Sequence, residues 1–256
     1  MSNLCKKRDI GTKQLKKRRK KVISLKTVAI IGANGTMGAM TGGLFAQCGF
    51  RVYFISKTIE KSKIGMQKAF HQAQSEIIGK NIICSGYSEI SHILPKCNWI
   101  IECVKEDIDV KKATYKVIDT YRKKGSVVSS MTSSLPLPKI IEGTSDDLRR
   151  NFIGFHLFNP PNKLTLCEIA PIKDTDKAVV DLVSKIAQKY LFRTVIPVRN
   201  VAGYVGNRIG FKFFSDVTKE VPKYGVEMID YLLGPYIGRA MSPLATLDLI
   251  GIDNYT

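Results

Sequence analysis

The sequence contains no apolar run that approaches the length of a membrane-spanning helix, and its first residues lack the apolar segment of a secretory signal peptide. The six cysteines include no Cys-x-x-Cys pair and lie mostly in apolar runs, so neither disulfides nor a zinc site is expected. Tryptophan occurs once, and low-complexity runs are few. These absences favour a globular intracellular protein with reduced, buried thiols and no metal. We expect it in the cytoplasm rather than in mitochondria or a membrane.

The formal net charge of +18 is distributed unevenly along the chain. Residues 1–26 contain eleven Lys or Arg residues and one acid, Asp9, which gives +10 and leaves +8 for the remaining 230 residues. A block of like charges such as Lys16–Lys21 repels itself, so we expect residues 1–25 to form a disordered, solvated tail. The alternatives are a nucleic-acid patch, a nuclear signal and a mitochondrial presequence. We do not expect a nucleic-acid partner.

Residues 27–56 carry the first strong pattern. An apolar strand, TVAIIG, runs into a glycine-rich turn, which is followed by a helix-like segment and a second apolar strand, Arg51–Ile55. This order and length are typical of a βαβ unit that binds a dinucleotide. Glycines let the backbone approach a pyrophosphate, and the helix N-terminus favours anions. The predicted cofactor turn consists of Gly32, Ala33, Asn34, Gly35, Thr36, Met37 and Gly38.

Two details of this unit differ from the usual dinucleotide fingerprint. The glycine spacing is G-x-x-G-x-x-G, one residue longer than G-x-G-x-x-G. The second strand leads into Ser56 and Lys57, where an acid would bind the ribose 2′-hydroxyl of NAD and a cation would tolerate the 2′-phosphate of NADP. We expect NAD as the cofactor, with NADP also possible. Alternatively, Lys57 simply opens the next helix.

Strand and helix patterns continue to alternate as far as residue 198, and beyond residue 199 only helical patterns occur. The sequence therefore predicts an α/β fold in residues 26–199, a Rossmann-type, doubly wound, mostly parallel sheet. A small all-helical C-terminal domain is expected over residues 200–256. The further helices are expected at 57–80, Glu106–Lys124 and Lys173–Lys189, and the further strands at 81–84, Asn98–Cys103, Ser126–Ser130 and Arg193–Val198.

Residues 151–170 contain the strongest candidate for catalysis. A short strand, Phe152–Phe155, places His156 at its end, and the Asn-Pro-Pro-Asn segment 159–162 then forces a turn. A second, alternating strand carries Glu168, and pairing of the two strands would bring this carboxylate to the imidazole. Such a carboxylate fixes the tautomer and stabilises the imidazolium. The alternative is a core histidine beside a glutamate in an ordinary hairpin.

The loop at 130–136, SMTSSLP, follows a predicted strand and is rich in hydroxyl groups. Ligands of open α/β sheets bind outside the carboxyl ends of the strands, so these hydroxyls could donate hydrogen bonds to a substrate. Alternatively, they only cap the following turn or helix.

Taken together, these motifs resemble those of the 3-hydroxyacyl-CoA dehydrogenases, from residue 26 almost to the end of the chain. A weaker part of the likeness is MSPLATLDLIGID at 241–253. The five stretches that carry it are IGANGTMG at 31–38, IIECVKEDIDVK at 100–111, SMTSSLP at 130–136, GFHLFNPPNKLTLCE at 154–168 and AGYVGNRI at 202–209.

The resemblance implies oxidation of the 3-hydroxyl of a (3S)-3-hydroxyacyl-CoA of short or medium chain length, with transfer of hydride to the nicotinamide cofactor. It implies that His156 is the general base and that Glu168 orients it. It also implies that Ser133 hydrogen-bonds the substrate oxygen and that Asn207 positions the substrate. Three further residues match positions where the family touches the cofactor, namely Glu106, Lys111 and Asn159.

The chain departs from the family pattern in several places. Met131 stands where Asn is usual, and Ala202 stands where Pro is common. The chain also ends at Thr256, where family members continue through helices that complete the C-terminal domain and build the dimer. We therefore expect a homodimer, or a partner chain that completes this domain. The competing hypothesis is a weakened relative that binds a nucleotide or an acyl-CoA without catalysis.

Overall fold

The computed structural model describes residues 26–239 and 241–251. The predicted basic tail at 1–25, with Cys5, lies outside the described residues, as do the last residues of the 241–253 motif. The chain divides into two compact units, the first ending at Ala202 and the second beginning at Gly203, close to the boundary expected near residue 199.

The first unit is built on one eight-stranded sheet, in the order β3-β2-β1-β4-β5-β6-β7-β8. All neighbouring strands run parallel except β6 and β7, which are antiparallel. The strands are β1 (Thr27–Ile31), β2 (Arg51–Ser56), β3 (Ile82–Gly86), β4 (Trp99–Glu102), β5 (Val127–Ser130), β6 (Phe152–Leu157), β7 (Leu166–Pro171) and β8 (Thr194–Pro197).

Helices of this unit connect the parallel strands and cover both faces of the sheet. Short 3₁₀ segments lie at Ile77–Asn81, Tyr87–Glu89 and Leu94–Lys96. The α-helices are α1 (Thr36–Gln47), α2 (Ile59–Ala73), α3 (Ile90–Ile93), α4 (Ile108–Tyr121), α5 (Leu137–Ile140), α6 (Asp146–Arg150) and α7 (Lys177–Lys189). The predicted Rossmann-type, mostly parallel sheet is confirmed.

The two faces of the sheet follow from the alternation of side chains along each strand. On one face, the fully buried Trp99 of β4 makes edge-to-face contacts with Phe45 of α1 and Phe155 of β6, at ring-centroid distances of 5.3 and 5.1 Å. On the other face, Tyr115 of α4 packs edge-to-face on Phe152 of β6 at 5.4 Å. Both faces are therefore apolar, and the polar groups of the sheet are concentrated at its carboxyl edge.

Two predicted helices have other bounds in the structure. The helix expected at 57–80 begins at Ile59 after the Thr58 cap and ends at Ala73, because Gln74 adopts a left-handed conformation with φ of 49°. The helix expected to reach Lys124 ends at Tyr121, where Arg122 becomes extended and its guanidinium pairs with carboxylates.

A third predicted helix was expected from Lys173 but begins only at Lys177. Residues 173–176 form a turn that Thr175 holds in place. Its hydroxyl accepts a hydrogen bond from the Ile172 amide at 2.9 Å and donates one to the Phe152 carbonyl at 2.7 Å.

The second unit is helical, as the sequence pattern indicates. It contains a 3₁₀ turn at Pro235–Ile237, and Asp230 caps the last helix by accepting the amides of Leu244 and Ala245 at 2.8 and 3.1 Å. Its α-helices are α8 (Gly206–Tyr224), α9 (Val226–Leu232) and α10 (Pro243–Ile250).

Five of the cysteines lie among the described residues, and none of these five forms a disulfide. Cys97 and Cys167 are buried, and burial raises the pKa of each thiol to about 12. The remaining three, Cys48, Cys84 and Cys103, are only partly buried, so the expectation of buried thiols is met at two of the five positions.

The hydrogen bond between Trp99 and Ser129 supplies a test of the core. The indole Nε1–H donates to the Ser129 Oγ at 2.9 Å, and both residues are fully buried. We expect Ser129→Ala to lower the free energy of unfolding by about 1–3 kcal/mol, because the indole N–H is left buried without an acceptor. Urea unfolding followed by fluorescence of this single tryptophan measures the loss.

The matched control is Ser88→Ala, which removes the hydroxyl of an exposed serine and should change stability by less than about 0.5 kcal/mol. Equal stabilities of the two variants would contradict the role given to the Trp99–Ser129 contact.

Candidate active site

The glycine-rich turn between β1 and α1 is held against the ends of the neighbouring strands. The amides of Gly32 and Ala33 donate to the Ile55 carbonyl of β2 at 2.9 and 3.3 Å. The Cys103 amide beyond β4 donates to the Ile31 carbonyl at 2.8 Å. The turn thus lies at the carboxyl edge of the sheet, where the fold places a dinucleotide.

Two glycines of the turn cannot carry a larger side chain. Gly32 has φ of +86°, and a Cβ on it would lie 2.5 Å from the Cys103 carbonyl oxygen. A Cβ on Gly38 would lie 2.4 Å from the Gly32 carbonyl oxygen. The first contact packs the turn against the end of β4, and the second packs α1 against the turn, so both glycines keep the backbone close.

The N-terminus of α1 fits the pyrophosphate of a dinucleotide. Gly35 occupies the N-cap and has no side chain that could cap the helix. The first amides of the helix therefore have no acceptor within it and are available to bind an anion. A Cβ on Gly35 would make ordinary contacts with the carbonyl oxygens of Gly32 at 3.4 Å and Cys103 at 4.0 Å. The turn accordingly fits the cofactor that the sequence predicts.

The end of β2 lies next to this turn. Ser56 is buried, and its Oγ accepts a hydrogen bond from the Asn34 amide at 3.2 Å. Lys57 is exposed and precedes the Thr58 cap, so it does not open the next helix as the alternative interpretation held. Lys68 of α2 donates to the Asn34 carbonyl at 2.9 Å. Cationic side chains therefore stand where many NAD-binding proteins have an acid.

The carboxyl end of β4 holds a buried network of polar groups. The Glu102 carboxylate is fully buried and accepts hydrogen bonds from Lys111 Nζ at 2.7 Å, from the Tyr115 hydroxyl at 2.9 Å and from the Ser130 hydroxyl at 2.7 Å. It also accepts the Val104 amide at 2.7 Å. A buried charge needs such partners, and Glu102 has four.

Lys111 connects this network to Glu106, whose carboxylate lies 3.2 Å from the ammonium. Burial raises the pKa of Glu106, but Lys111 and the hydroxyls of Thr132 and Ser134 lower it further, so the pKa lies below its usual range. Burial lowers the pKa of Lys111, and the charges of Glu102 and Glu106 overcome this effect and raise it. Glu106 and Lys111 are therefore ionised at neutral pH.

The hydroxyls of the loop at 130–136 cap the following turn, as the alternative interpretation held, and their hydrogen bonding to a substrate stays a prediction. Thr132 Oγ1 accepts the amides of Ser134 and Leu135 at 3.3 and 3.1 Å, which is a capping role. The hydroxyls of Thr132 and Ser134 also donate to Glu106, Ser134 at 2.7 Å. These contacts fix the two neighbours of Ser133, which is itself partly buried.

The hairpin of β6 and β7 brings the predicted pair together. His156 lies opposite Glu168 in the antiparallel register, and His156 Nδ1 lies 2.7 Å from Glu168 Oε2. The glutamate is fully buried and the histidine is 9% exposed. Phe158 packs edge-to-face on the imidazole at 4.8 Å. The contact predicted from the sequence is present, although β6 extends through His156 to Leu157.

Two further predicted site residues are placed less directly. Asn159 is exposed and lies in the turn just beyond β6. Asn207 is the second residue of α8 and belongs to the second unit, so its approach to His156 stays a prediction.

Neither a metal cluster nor a membrane helix is found in the part of the chain that the structure describes. No group of three or more His, Cys, Asp or Glu residues there could hold a metal ion. Of the helices described, each is too short or too polar to traverse a bilayer.

Residues 27–201 match the family model of the 3-hydroxyacyl-CoA dehydrogenase NAD-binding domain, which covers the whole sheet and every site residue described above except Asn207. The chain belongs to the 3-hydroxyacyl-CoA dehydrogenase family. Its cofactor is accordingly NAD.

Similar proteins agree with this family membership. A probable 3-hydroxyacyl-CoA dehydrogenase of Deinococcus radiodurans is 31% identical over 245 residues, which cover 90% of this chain and 70% of the relative. One of Bacillus subtilis is 37% identical over 165 residues, or 63% of this chain, but the match spans only 21% of that longer protein. The crystal structure of (S)-3-hydroxybutyryl-CoA dehydrogenase from Ralstonia eutropha superposes with a TM-score of 0.79 at 26% identity, covering 91% of this chain and 84% of that one.

Sequence reasoning missed Glu102 as a site residue of this dehydrogenase-family chain. The signal was available, because an acid that ends the apolar run NWIIEC must be buried and must find partners. The partners Tyr115 and Ser130 were not predictable, since they come from a helix and a strand that only the fold brings together.

Proposed function

We propose that this protein interconverts the 3-hydroxyl of a (3S)-3-hydroxyacyl-CoA and the corresponding ketone. The observation that supports the proposal is the contact between His156 Nδ1 and Glu168 Oε2 at the carboxyl edge of an NAD-binding sheet. When bound, NAD accepts the hydride that leaves C3 of the substrate. The protein's own task is to move the hydroxyl proton and to hold the substrate.

His156 is the general base in this proposal. Its Nδ1–H donates to Glu168, so proton exchange with the substrate hydroxyl takes place at Nε2. Glu168 keeps the imidazole in this tautomer and offsets the positive charge that develops on the ring. In the reverse reaction, the same imidazolium returns the proton to the substrate oxygen.

Ser133 and Asn207 complete the proposed substrate contacts. Ser133 donates a hydrogen bond to the substrate oxygen from a loop whose neighbouring hydroxyls are fixed by Glu106. Asn207, at the start of α8, positions the acyl thioester. The net charge of +18 attracts an anionic CoA ester to the protein.

The test of this function is the reduction of acetoacetyl-CoA with NADH by the full chain and its variants. We expect His156→Ala to lower kcat by about 10²–10⁴-fold, because the proton donor is lost. Glu168→Gln should lower it by about 10²-fold or more, because the imidazolium loses its counter-charge and its fixed tautomer. The matched control is His92→Ala, at an exposed histidine, which should leave kcat unchanged.

Absence of turnover in a folded wild type, or equal rates in wild type and His156→Ala, would contradict the proposal. Binding of NADH and acetoacetyl-CoA without turnover would instead favour the competing hypothesis of a weakened relative.

We further propose that the chain uses NADPH as well as NADH. Ser56 places no carboxylate against the ribose, and the exposed Lys57 adds a positive charge beside it. Glu60 is an acid in the same turn, but it is fully exposed and ionised, since hydrogen bonds from its own backbone amide and from Thr58 lower its pKa. We expect kcat/KM with NADPH to lie within about tenfold of the NADH value, a difference of about 1.4 kcal/mol.

Substitution at these positions separates the two cofactors. Ser56→Asp should reduce kcat/KM with NADPH by about tenfold or more relative to NADH, because the new carboxylate repels the 2′-phosphate. Lys57→Ala should lower kcat/KM with NADPH and leave kcat/KM with NADH unchanged. The control is Lys63→Ala, which removes an equal charge from an exposed position on α2. It should leave kcat/KM unchanged with both NADPH and NADH. No use of NADPH by the wild type would overturn the proposal.

We also propose that the second unit associates with a second copy or with a partner chain. Large apolar side chains of its helices are exposed, including Ile209, Tyr236 and Leu249 at 67%, 78% and 68%.

Sedimentation velocity should find the wild type as a dimer and Tyr236→Lys shifted towards monomer. Phe192→Lys, at a 73% exposed aromatic of the first unit, is the control. A wild type that stays monomeric at micromolar concentration would exclude association with a second copy and leave association with a partner chain. A monomer that turns over substrate would contradict both kinds of association.

A further inference from the structure

Glu102 stands at the centre of the polar network at the carboxyl edge, and its four partners come from three different segments. The loop after β4 supplies the Val104 amide, α4 supplies Lys111 and Tyr115, and β5 supplies Ser130. The Val104 amide and the Lys111 ammonium can only donate, and the Tyr115 and Ser130 hydroxyls donate to the carboxylate, while Ser130 Oγ accepts the Thr132 amide at 3.3 Å. A single carboxylate thus ties together β4, α4 and β5 at the edge where the cofactor binds.

The network continues from Glu102 towards the proposed ligands. Lys111 is 1% exposed and pairs with Glu102 at 2.7 Å and with Glu106 at 3.2 Å. Glu106 in turn accepts the hydroxyls of Thr132 and Ser134, on either side of Ser133. Only Glu106 of these charged groups reaches the surface, with its side chain 44% exposed.

Glu102 is fully buried, and its carboxylate already accepts four hydrogen bonds from the protein. Its position therefore suits an indirect role. We propose that Glu102 is the positioning residue of the NAD site, and that its carboxylate keeps the Lys111 ammonium charged and oriented while fixing the start of the Ser133 loop. This inference shares one assumption with the proposed function, namely that Lys111 and Glu106 contact the cofactor.

The charge of Lys111 depends on its two carboxylates. Burial lowers the pKa of this lysine, and Glu102 and then Glu106 raise it above the usual value. Tyr87, Cys103 and Tyr115 also interact with Glu102, and burial raises the pKa of all three, so all three are neutral at pH 7. The facing loop at 130–136 contributes only hydroxyls from its polar side chains.

Removal of the Glu102 charge should therefore make cofactor binding depend on pH. A lysine whose folded-state pKa is raised keeps its charge until the pH passes that value. In Glu102→Gln, burial still lowers the pKa of Lys111, and only the half-exposed Glu106 raises it. Lys111 should therefore lose its proton at a lower pH than in the wild type. Above that pH, the Kd for the dianionic pyrophosphate cofactor should rise by up to about tenfold per pH unit.

The experiment is a titration of NADH by fluorescence between pH 7 and 9.5, which reports binding without turnover. We expect a flat Kd for the wild type and a Kd that rises with pH for Glu102→Gln. Tyr115→Phe removes a hydrogen bond from the same carboxylate but leaves its charge, and it should keep the flat profile even if it lowers stability. Glu102→Gln/Lys111→Arg should restore the flat profile, because a guanidinium stays charged throughout this range.

A flat profile for Glu102→Gln, or no rescue by the arginine, would overturn the inference. If Glu102→Gln does not fold, the dependence of the wild-type Kd for NADH on pH still tests the inference. A wild-type Kd that rises between pH 7 and 9 would contradict a Lys111 that stays charged over this range. NADH binding with the expected profiles but without acetoacetyl-CoA turnover would refute the proposed function and leave this inference standing.

Discussion

The candidate site depends on the antiparallel pairing of β6 with β7, because that pairing reverses the direction of the chain at the edge where ligands bind. Strands β1 to β6 run parallel, so their carboxyl ends share one edge. Since β7 runs the other way, its beginning lies at that same edge, and Glu168 in its first half meets His156 near the end of β6. A shift of one residue would turn one of the two side chains to the opposite face of the sheet.

The charged groups of the edge are organised in two pairs of different character. His156 and Glu168 form a pair in which the histidine side chain is 11% exposed and the glutamate is fully buried. Glu102 and Lys111 form a buried pair, and its hydrogen bonds hold the segments around it in place. Burying such a pair costs solvation, which its hydrogen bonds to Tyr115, Ser130 and Val104 offset. We propose that the first pair supplies the chemistry and that the second holds the segments of the cofactor site in place.

The sequence predicted the sheet, the glycine turn and the His156–Glu168 contact, since these follow from local apolar patterns and from one short turn. Helix ends were less predictable, because Gln74 and Arg122 end their helices through conformations and ion pairs that propensity does not encode. The Glu102 network was missed for the same reason, as its donors come from α4 and β5, far apart in the sequence. Local rules thus identify elements and motifs, whereas non-local partners require the fold.

We expect Glu168 to hold the His156 imidazole with its proton on Nδ1, which leaves proton transfer to Nε2. Long-range ¹H–¹⁵N correlation spectra of ¹⁵N-histidine protein test this directly, with His156→Ala to assign the signals among three histidines. At a pH where the ring is neutral, we predict a protonated Nδ1 and an unprotonated Nε2 for His156, and loss of this preference in Glu168→Gln. A neutral His156 with its proton on Nε2 would contradict the account, because that nitrogen could not then accept the substrate's proton.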